Sequence, residues 1–202
     1  MLLLINNSTD GNRLSYIVQV RYTLRSLDIP FIETRKLDYD LLIKYKKKIT
    51  GIILSGSPMM LEKDDISKYN YDIFYLLNLN VPVLGICFGA QLLTIINGGV
   101  LKPIRHFICE TLPTTIEKNS FLFDNVSLCD KNKMYLKFCF SRLPVKPKRD
   151  SSKVLASIKI NGRQTPIAFQ YSENVFCILG HPEIEEGTRV IYKNFYDFCK
   201  RI

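Results

Sequence analysis

Apolar positions along the first half of the chain switch between short unbroken runs and helical spacing. Leu2–Ile5 is an uninterrupted apolar run, the pattern of a strand buried on both faces. Ser8, Thr9 and Asp10 offer helix N-caps, and Leu14, Ile17, Val18 and Leu24 then recur at helical spacing. Phe31–Ile32 reads as a second, weaker strand, and Ile52–Leu54 as a third, ended by Gly56 and Pro58. Ile66–Leu79 predicts a helix with Ile73, Phe74, Leu76 and Leu77 turned inward. Val81–Ile86 predicts a fourth strand, which runs directly into a helix over Phe88–Ile96 that Asn97-Gly98-Gly99 stops.

Beyond Val100 the rhythm changes to short β-type runs without a helical period. Met134–Phe140, Val154–Ile160, Pro166–Gln170 and Val175–Leu179 are the candidate strands, and Asn161-Gly162 is a hairpin signal. A last helix is expected over Glu185–Lys200, with Val190, Ile191, Phe195 and Phe198 on its apolar side. Alternation followed by a β-rich half predicts an α/β fold: an open, mostly parallel central sheet flanked by helices, flavodoxin-like, with a more β-rich second half.

The length of 202 residues fits one domain, and no linker or repeat divides it, so residues 1–202 are read as a single domain. The opening MLLLINN is too short for a signal-peptide core and no window is apolar enough for a span, so a soluble, cytoplasmic protein is expected. The six Cys never form a C-x-x-C pair, which argues against structural zinc and reads them mostly as buried, inert thiols. Only two His are present, His106 and His181, so a three-imidazole metal site is excluded and His-dependent catalysis has two candidates.

The chemistry concentrates at Gly85-Ile86-Cys87-Phe88-Gly89. A buried strand meets a helix at Cys87, and Gly85 and Gly89 flank the thiol in the pattern of a nucleophile elbow with Cys in place of Ser. Such a turn is sharp and needs small neighbours. It presents the thiol at the carboxyl end of the strand and at a helix N-terminus, where thiolate is favoured, and it lets the Phe88 N–H face an oxyanion. A buried core Cys between packing glycines would give the same letters, and the placement after a strand and before a helix favours the nucleophile. His181 follows the run Val175–Leu179 and precedes Pro182, so it sits at a strand end, and Glu183 is close enough to reach the ring. His106 has no such context. The loop Leu54-Ser55-Gly56-Ser57-Pro58 ends another strand with small residues that allow close backbone approach.

Taken together, LSGSP (54–58), GICFGAQLL (85–93) and GHPE (180–183) resemble the class I glutamine amidotransferases over almost the whole chain, nearest in look to stand-alone glutaminase subunits. The resemblance implies a Cys87-His181-Glu183 triad that releases ammonia from glutamine through a γ-glutamyl thioester. It implies an oxyanion hole from the N–H groups of Phe88 and Ser57, with Gly56 shaping the loop and Gln91 holding the substrate. No cofactor or metal is implied, and the implied partner is a synthetase subunit that consumes the ammonia, such as that of GMP synthetase.

The chain departs from the family pattern in three places. The segment Lys133–Arg142, where a His-containing motif is usual, has no His; the residues before His181 are Leu179-Gly180; and Ala90 stands where His is frequent. These leave two alternatives: a γ-glutamyl hydrolase of the same fold without a synthetase, and a non-catalytic amidotransferase-like binding subunit. The charge is +9, from 28 basic and 19 acidic residues, and seven Lys/Arg with no acid fall between Lys131 and Arg149. Lys46-Lys47-Lys48 forms a second cluster. Such faces suit an acidic partner or simple solvation. No nucleic-acid motif accompanies them, so neither nucleic acid nor membrane is an expected partner.

Overall fold

A computed structural model describes residues 1–8, 16–35, 39–58, 80–146 and 152–202. The first strand, β1 (Leu2–Ile5), is buried at every position. Alternation splits its side chains between two cores. Leu2 and Leu4 enter one cluster with Ile17, Val20, Leu24, Ile191, Tyr192 and Phe195. Leu3 and Ile5 enter the other with Leu42, Phe88, Leu92 and Leu93. The helices α1 (Ile17–Ser26) and α4 (Val190–Cys199) therefore cover one face of the sheet, and α2 (Tyr39–Tyr45) and α3 (Phe88–Ile96) the other.

The strands β2 (Phe31–Thr34), β3 (Gly51–Leu54) and β4 (Val83–Ile86) join β1 in parallel, as the alternating pattern predicts. The β-rich half adds β5 (Val100–Ile108), β6 (Thr111–Ile116), β7 (Leu128–Asp130), β8 (Lys133–Lys137), β9 (Phe140–Val145), β10 (Lys153–Ile160), β11 (Arg163–Ser172) and β12 (Val175–Ile178). One ten-stranded sheet runs in the order β2-β1-β3-β4-β12-β11-β10-β6-β8-β7, and β5 pairs with β9 in a separate ribbon. Pairing is parallel from β2 through β12 and antiparallel beyond, so the sheet is mixed, with its parallel half flanked by helices. The strand that matters most is β12. It comes late in the chain yet lies parallel beside β4, with Ile178 opposite Ile86.

Several expectations shift. The described part of α1 begins at Ile17, with Tyr16 at its N-cap and no side-chain cap bond. Ser8 instead donates to Asn6 Oδ1 through both its N–H and its hydroxyl, an Asx-type local bond that competes with capping. Thr9, Asp10, Leu14 and the helix expected over 66–79 lie outside the described residues. Val18 points outward at 45% exposure, and Val20 carries the inner stripe instead. The run expected over Met134–Phe140 breaks after Lys137, because the Lys137 carbonyl accepts from His181 N–H and Phe138 N–H turns to Glu110 O. The closing segment forms a 3-10 turn at Glu186–Thr188 before α4 begins. Asn161 and Gly162, both at positive φ (48° and 79°), turn β10 into β11 as the hairpin signal predicts. Among the described residues, no helix is long and apolar enough to cross a membrane.

The thiols divide differently from expectation. Cys87, Cys177 and Cys199 are buried, whereas Cys109 and Cys129 are exposed and Cys139 is half-buried. Cys129 lies on the edge strand β7, and Cys109 and Cys139 lie in the connections β5–β6 and β8–β9, where apolar cover is thin. The basic run is also partly engaged locally: Lys133 pairs with Asp130 at 2.9 Å, Lys137 donates to Cys109 O and Lys146 to Ser152 O.

Candidate active site

The strand β4 ends at Ile86, and the next residue, Cys87, takes φ 49° and ψ −103°. A non-glycine residue at positive φ is strained, and such strain persists where the surroundings over-determine it. Here they do. Cys87 N–H donates to Ile178 O on β12 at 2.9 Å, and Cys87 O accepts the first helical bond from Gln91 N–H at 3.0 Å. The flanking glycines are sterically required. A Cβ on Gly85 would stand 2.6 Å from Gly89 O, and one on Gly89 would stand 2.3 Å from Leu54 O. The helix α3 thus leaves the strand at an angle that only glycines permit, and Phe88 opens its first turn, where backbone N–H groups lack intrahelical partners.

The parallel register of β4 and β12 brings His181 to the same end of the sheet. His181 is buried, with 1% exposure, and its Nδ1 lies 2.8 Å from Glu183 Oε1, while Cys87 lies near enough to act on its charge. Burial alone would suppress the imidazolium, but negative charge on Cys87 and then on Glu183 outweighs it and raises the His181 pKa to about 10. Glu183 is fully buried, and its second oxygen, Oε2, accepts from the Tyr192 hydroxyl at 2.9 Å. The backbone of the His-Pro-Glu segment is pinned as well. Thr188 Oγ1 donates to Pro182 O at 2.9 Å, and Arg189 Nε to Glu183 O at 3.3 Å.

The loop after β3 closes over this pair. A Cβ on Gly56 would lie 3.0 Å from His181 Cε1 and 3.5 Å from Cys87 Cβ, so the backbone beside Ser57 passes directly over both side chains. Gln91 lies one turn into α3, and its Nε2 donates to Arg142 O on β9 at 3.1 Å. The structure therefore brings Cys87, His181, Glu183 and Gly56 into contact, with Phe88, Ser57 and Gln91 on the adjoining backbone and first helical turns. His106 sits on β5, is exposed, and takes no part.

Three neighbours carry no signal in the sequence pattern. Tyr16 lays its ring 4.0 Å from the His181 ring. Its hydroxyl pKa is raised by burial and by a hydrogen bond to Cys139. Cys139 contributes its carbonyl as the acceptor for the Cys87 thiol at 3.6 Å, and its own sulfur lies 2.7 Å from Cys109 Sγ. Tyr192 falls outside the apolar positions read for the last helix, yet it is fully buried. Nothing in its spacing marks the hydroxyl as a partner of Glu183.

Comparison with known proteins adds sequence and fold evidence. The profile of the glutamine amidotransferase class-I family matches residues 10–198. A subunit of the glutamine-hydrolyzing GMP synthase of Methanococcus vannielii is 28% identical over 205 residues, covering 98% of this chain and 97% of the relative. A glutamine-hydrolyzing GMP synthase of Wigglesworthia glossinidia brevipalpis is 30% identical over 164 residues, or 76% of this chain, which spans 30% of that longer relative. A solved Thermoplasma acidophilum protein, provisionally named as a GMP synthase subunit, superposes with TM-score 0.76 at 19% identity, over 99% of this chain and 94% of that one.

Proposed function

The chain belongs to the class-I glutamine amidotransferase family, and from that premise we propose that it is a single-domain glutaminase working through Cys87, His181 and Glu183. One observation carries the reading: two motifs far apart in sequence meet because β4 and β12 pair in parallel, which sets Cys87 beside the buried His181–Glu183 pair under the Gly56 loop. A thiol next to a buried imidazole that a carboxylate orients is the arrangement an activated nucleophile needs.

In this reading the Cys87 sulfur attacks the carboxamide carbon of glutamine. His181 Nδ1 is committed to Glu183, so Nε2 takes the thiol proton and delivers it to the departing ammonia. The raised His181 pKa favours the imidazolium that this step needs. The tetrahedral oxyanion is held by the N–H groups of Phe88 and Ser57. The Gly56 loop supplies the second of these because no side chain keeps it away from the site. Water then cleaves the γ-glutamyl thioester to glutamate. Gln91 anchors α3 to β9 through Nε2 and offers Oε1 to the substrate. The Methanococcus vannielii relative, matched nearly end to end, is named as one subunit of a GMP synthase, which supports a separate synthetase chain as the acceptor of the ammonia.

The reading is tested by covalent trapping. The glutamine analogue 6-diazo-5-oxonorleucine is expected to label Cys87 and none of the other five thiols, as read by peptide mass spectrometry. Labelling spread over the exposed Cys109 and Cys129 without Cys87 would contradict it. Faster turnover of γ-glutamyl peptides than of glutamine would move the assignment to a γ-glutamyl hydrolase, a reading to which the missing His in 133–142 lends some support.

A further inference from the structure

The hydrogen-bonded pair of His181 and Glu183 extends one step further. The carboxylate is fully buried, with Oε1 on His181 Nδ1 and Oε2 on the Tyr192 hydroxyl, and Tyr192 is itself fully buried in the core beneath α4. We propose that Tyr192 is a positioning residue of the triad, whose hydroxyl holds the Glu183 carboxylate aimed at His181. The inference rests on the triad reading above.

Three physical points support it. First, a buried carboxylate without donors tends to take up a proton, and each hydrogen bond to its charged form opposes that. Glu183 receives one such bond from the imidazole, and the second comes from a part of the chain that is not in the His-Pro-Glu segment. Second, a carboxylate held at one oxygen can rotate about its last bond, and a donor on the other oxygen removes that freedom. Third, the Tyr192 hydroxyl remains a neutral donor, because burial and the facing carboxylate push its pKa well above the ordinary value. Ionisable groups against this carboxylate, its imidazole or their backbone, among the described residues, come from several elements. They are Cys87 at the β4–α3 turn, Tyr16 ahead of α1, Tyr192 on α4 and Arg189, whose guanidinium bonds the Glu183 carbonyl.

Tyr192→Phe removes one oxygen and keeps the ring. The expected result is an acidic limb of kcat/KM for glutamine moved upward by about one pH unit, the size a hydrogen bond to a charged group supports. At the optimum, kcat falls by about fivefold and KM stays within about twofold, as expected when positioning and not substrate binding is lost. A second readout needs no turnover. With two His in the chain, and His106 exposed as an internal reference, 15N spectra of the imidazoles report the His181–Glu183 bond directly. In Tyr192→Phe that bond is expected to be lost on acidification at a higher pH than in the wild type. If Phe at this position disrupts the core, 3-fluorotyrosine at 192 keeps the shape and strengthens the donor, and the limb is expected to move downward. Cys87→Ala measured alongside separates the two layers. Undiminished turnover in Cys87→Ala overturns the triad reading and this inference with it. An inactive Cys87→Ala together with a Tyr192→Phe pH profile that superimposes on the wild type leaves the triad standing and overturns the role of Tyr192.

Discussion

Cys87 reaches the carboxyl end of β4 at the cost of backbone strain, and its neighbours carry the consequence. At φ 49° the residue stays in place because its N–H is tied to β12 and its carbonyl to α3. Gly89 is the tightest of these supports, since any Cβ there meets Leu54 O at 2.3 Å. Gly89→Ala is therefore expected to destabilise the fold by about 2–3 kcal/mol, the upper range of overpacking against atoms that cannot move aside. Thermal unfolding would show this as a drop of roughly 5–10 °C for a chain of this size. An unchanged transition would mean that α3 is not seated on β3 as described. The same scale explains what the sequence can reveal. Cys87, His181 and Glu183 stand within short motifs whose local geometry is dictated by glycines and a proline, so they can be singled out as candidates before the fold. Tyr16, Cys139 and Tyr192 reach the site through tertiary packing from other elements, and no local pattern announces them.

Elements follow the same division between local and distant causes. The turn of β10 into β11 is set by Asn161 and Gly162 alone, and both adopt the positive φ that this dipeptide favours. A Cβ on Gly162 meets nothing within 4 Å, so Gly162→Ala is a purely conformational change. It is expected to cost about 1 kcal/mol while leaving glutamine turnover untouched, which paired unfolding and activity measurements would check. A large loss of activity would mean that this hairpin reaches the site. The helix α3 is equally legible, because its apolar period and its Asn-Gly-Gly stop are both local. The proline-bearing strands are not. The strands β5, β6 and β9 carry Pro103, Pro113 and Pro144, and their half-exposed positions blur the alternation that marks a strand. The break between β8 and β9 is hidden from the sequence because it is made by His181 N–H capturing the Lys137 carbonyl, a long-range bond.

At the scale of the whole molecule, the decisive fact is the order of strands. Sequence alternation announces a parallel α/β half and a β-rich half. It does not say that β12, from the far end of the second, inserts beside β4 of the first. That insertion joins the two halves and creates the site at the seam, where open parallel sheets collect their ligands. The +9 charge acts at this scale as well. Some of the basic run around Lys131–Arg149 is bound to nearby carbonyls and Asp130, while Lys46-Lys47-Lys48 remains exposed at the end of α2. The central claim is that the seam is a glutaminase site with Cys87 as nucleophile. Its most direct test is steady-state ammonia release from glutamine by the wild type and by Cys87→Ala, with the unfolding transitions of both compared. The expected result is release by the wild type, background release by Cys87→Ala, and matching transitions. Undiminished release by a folded Cys87→Ala would contradict the account.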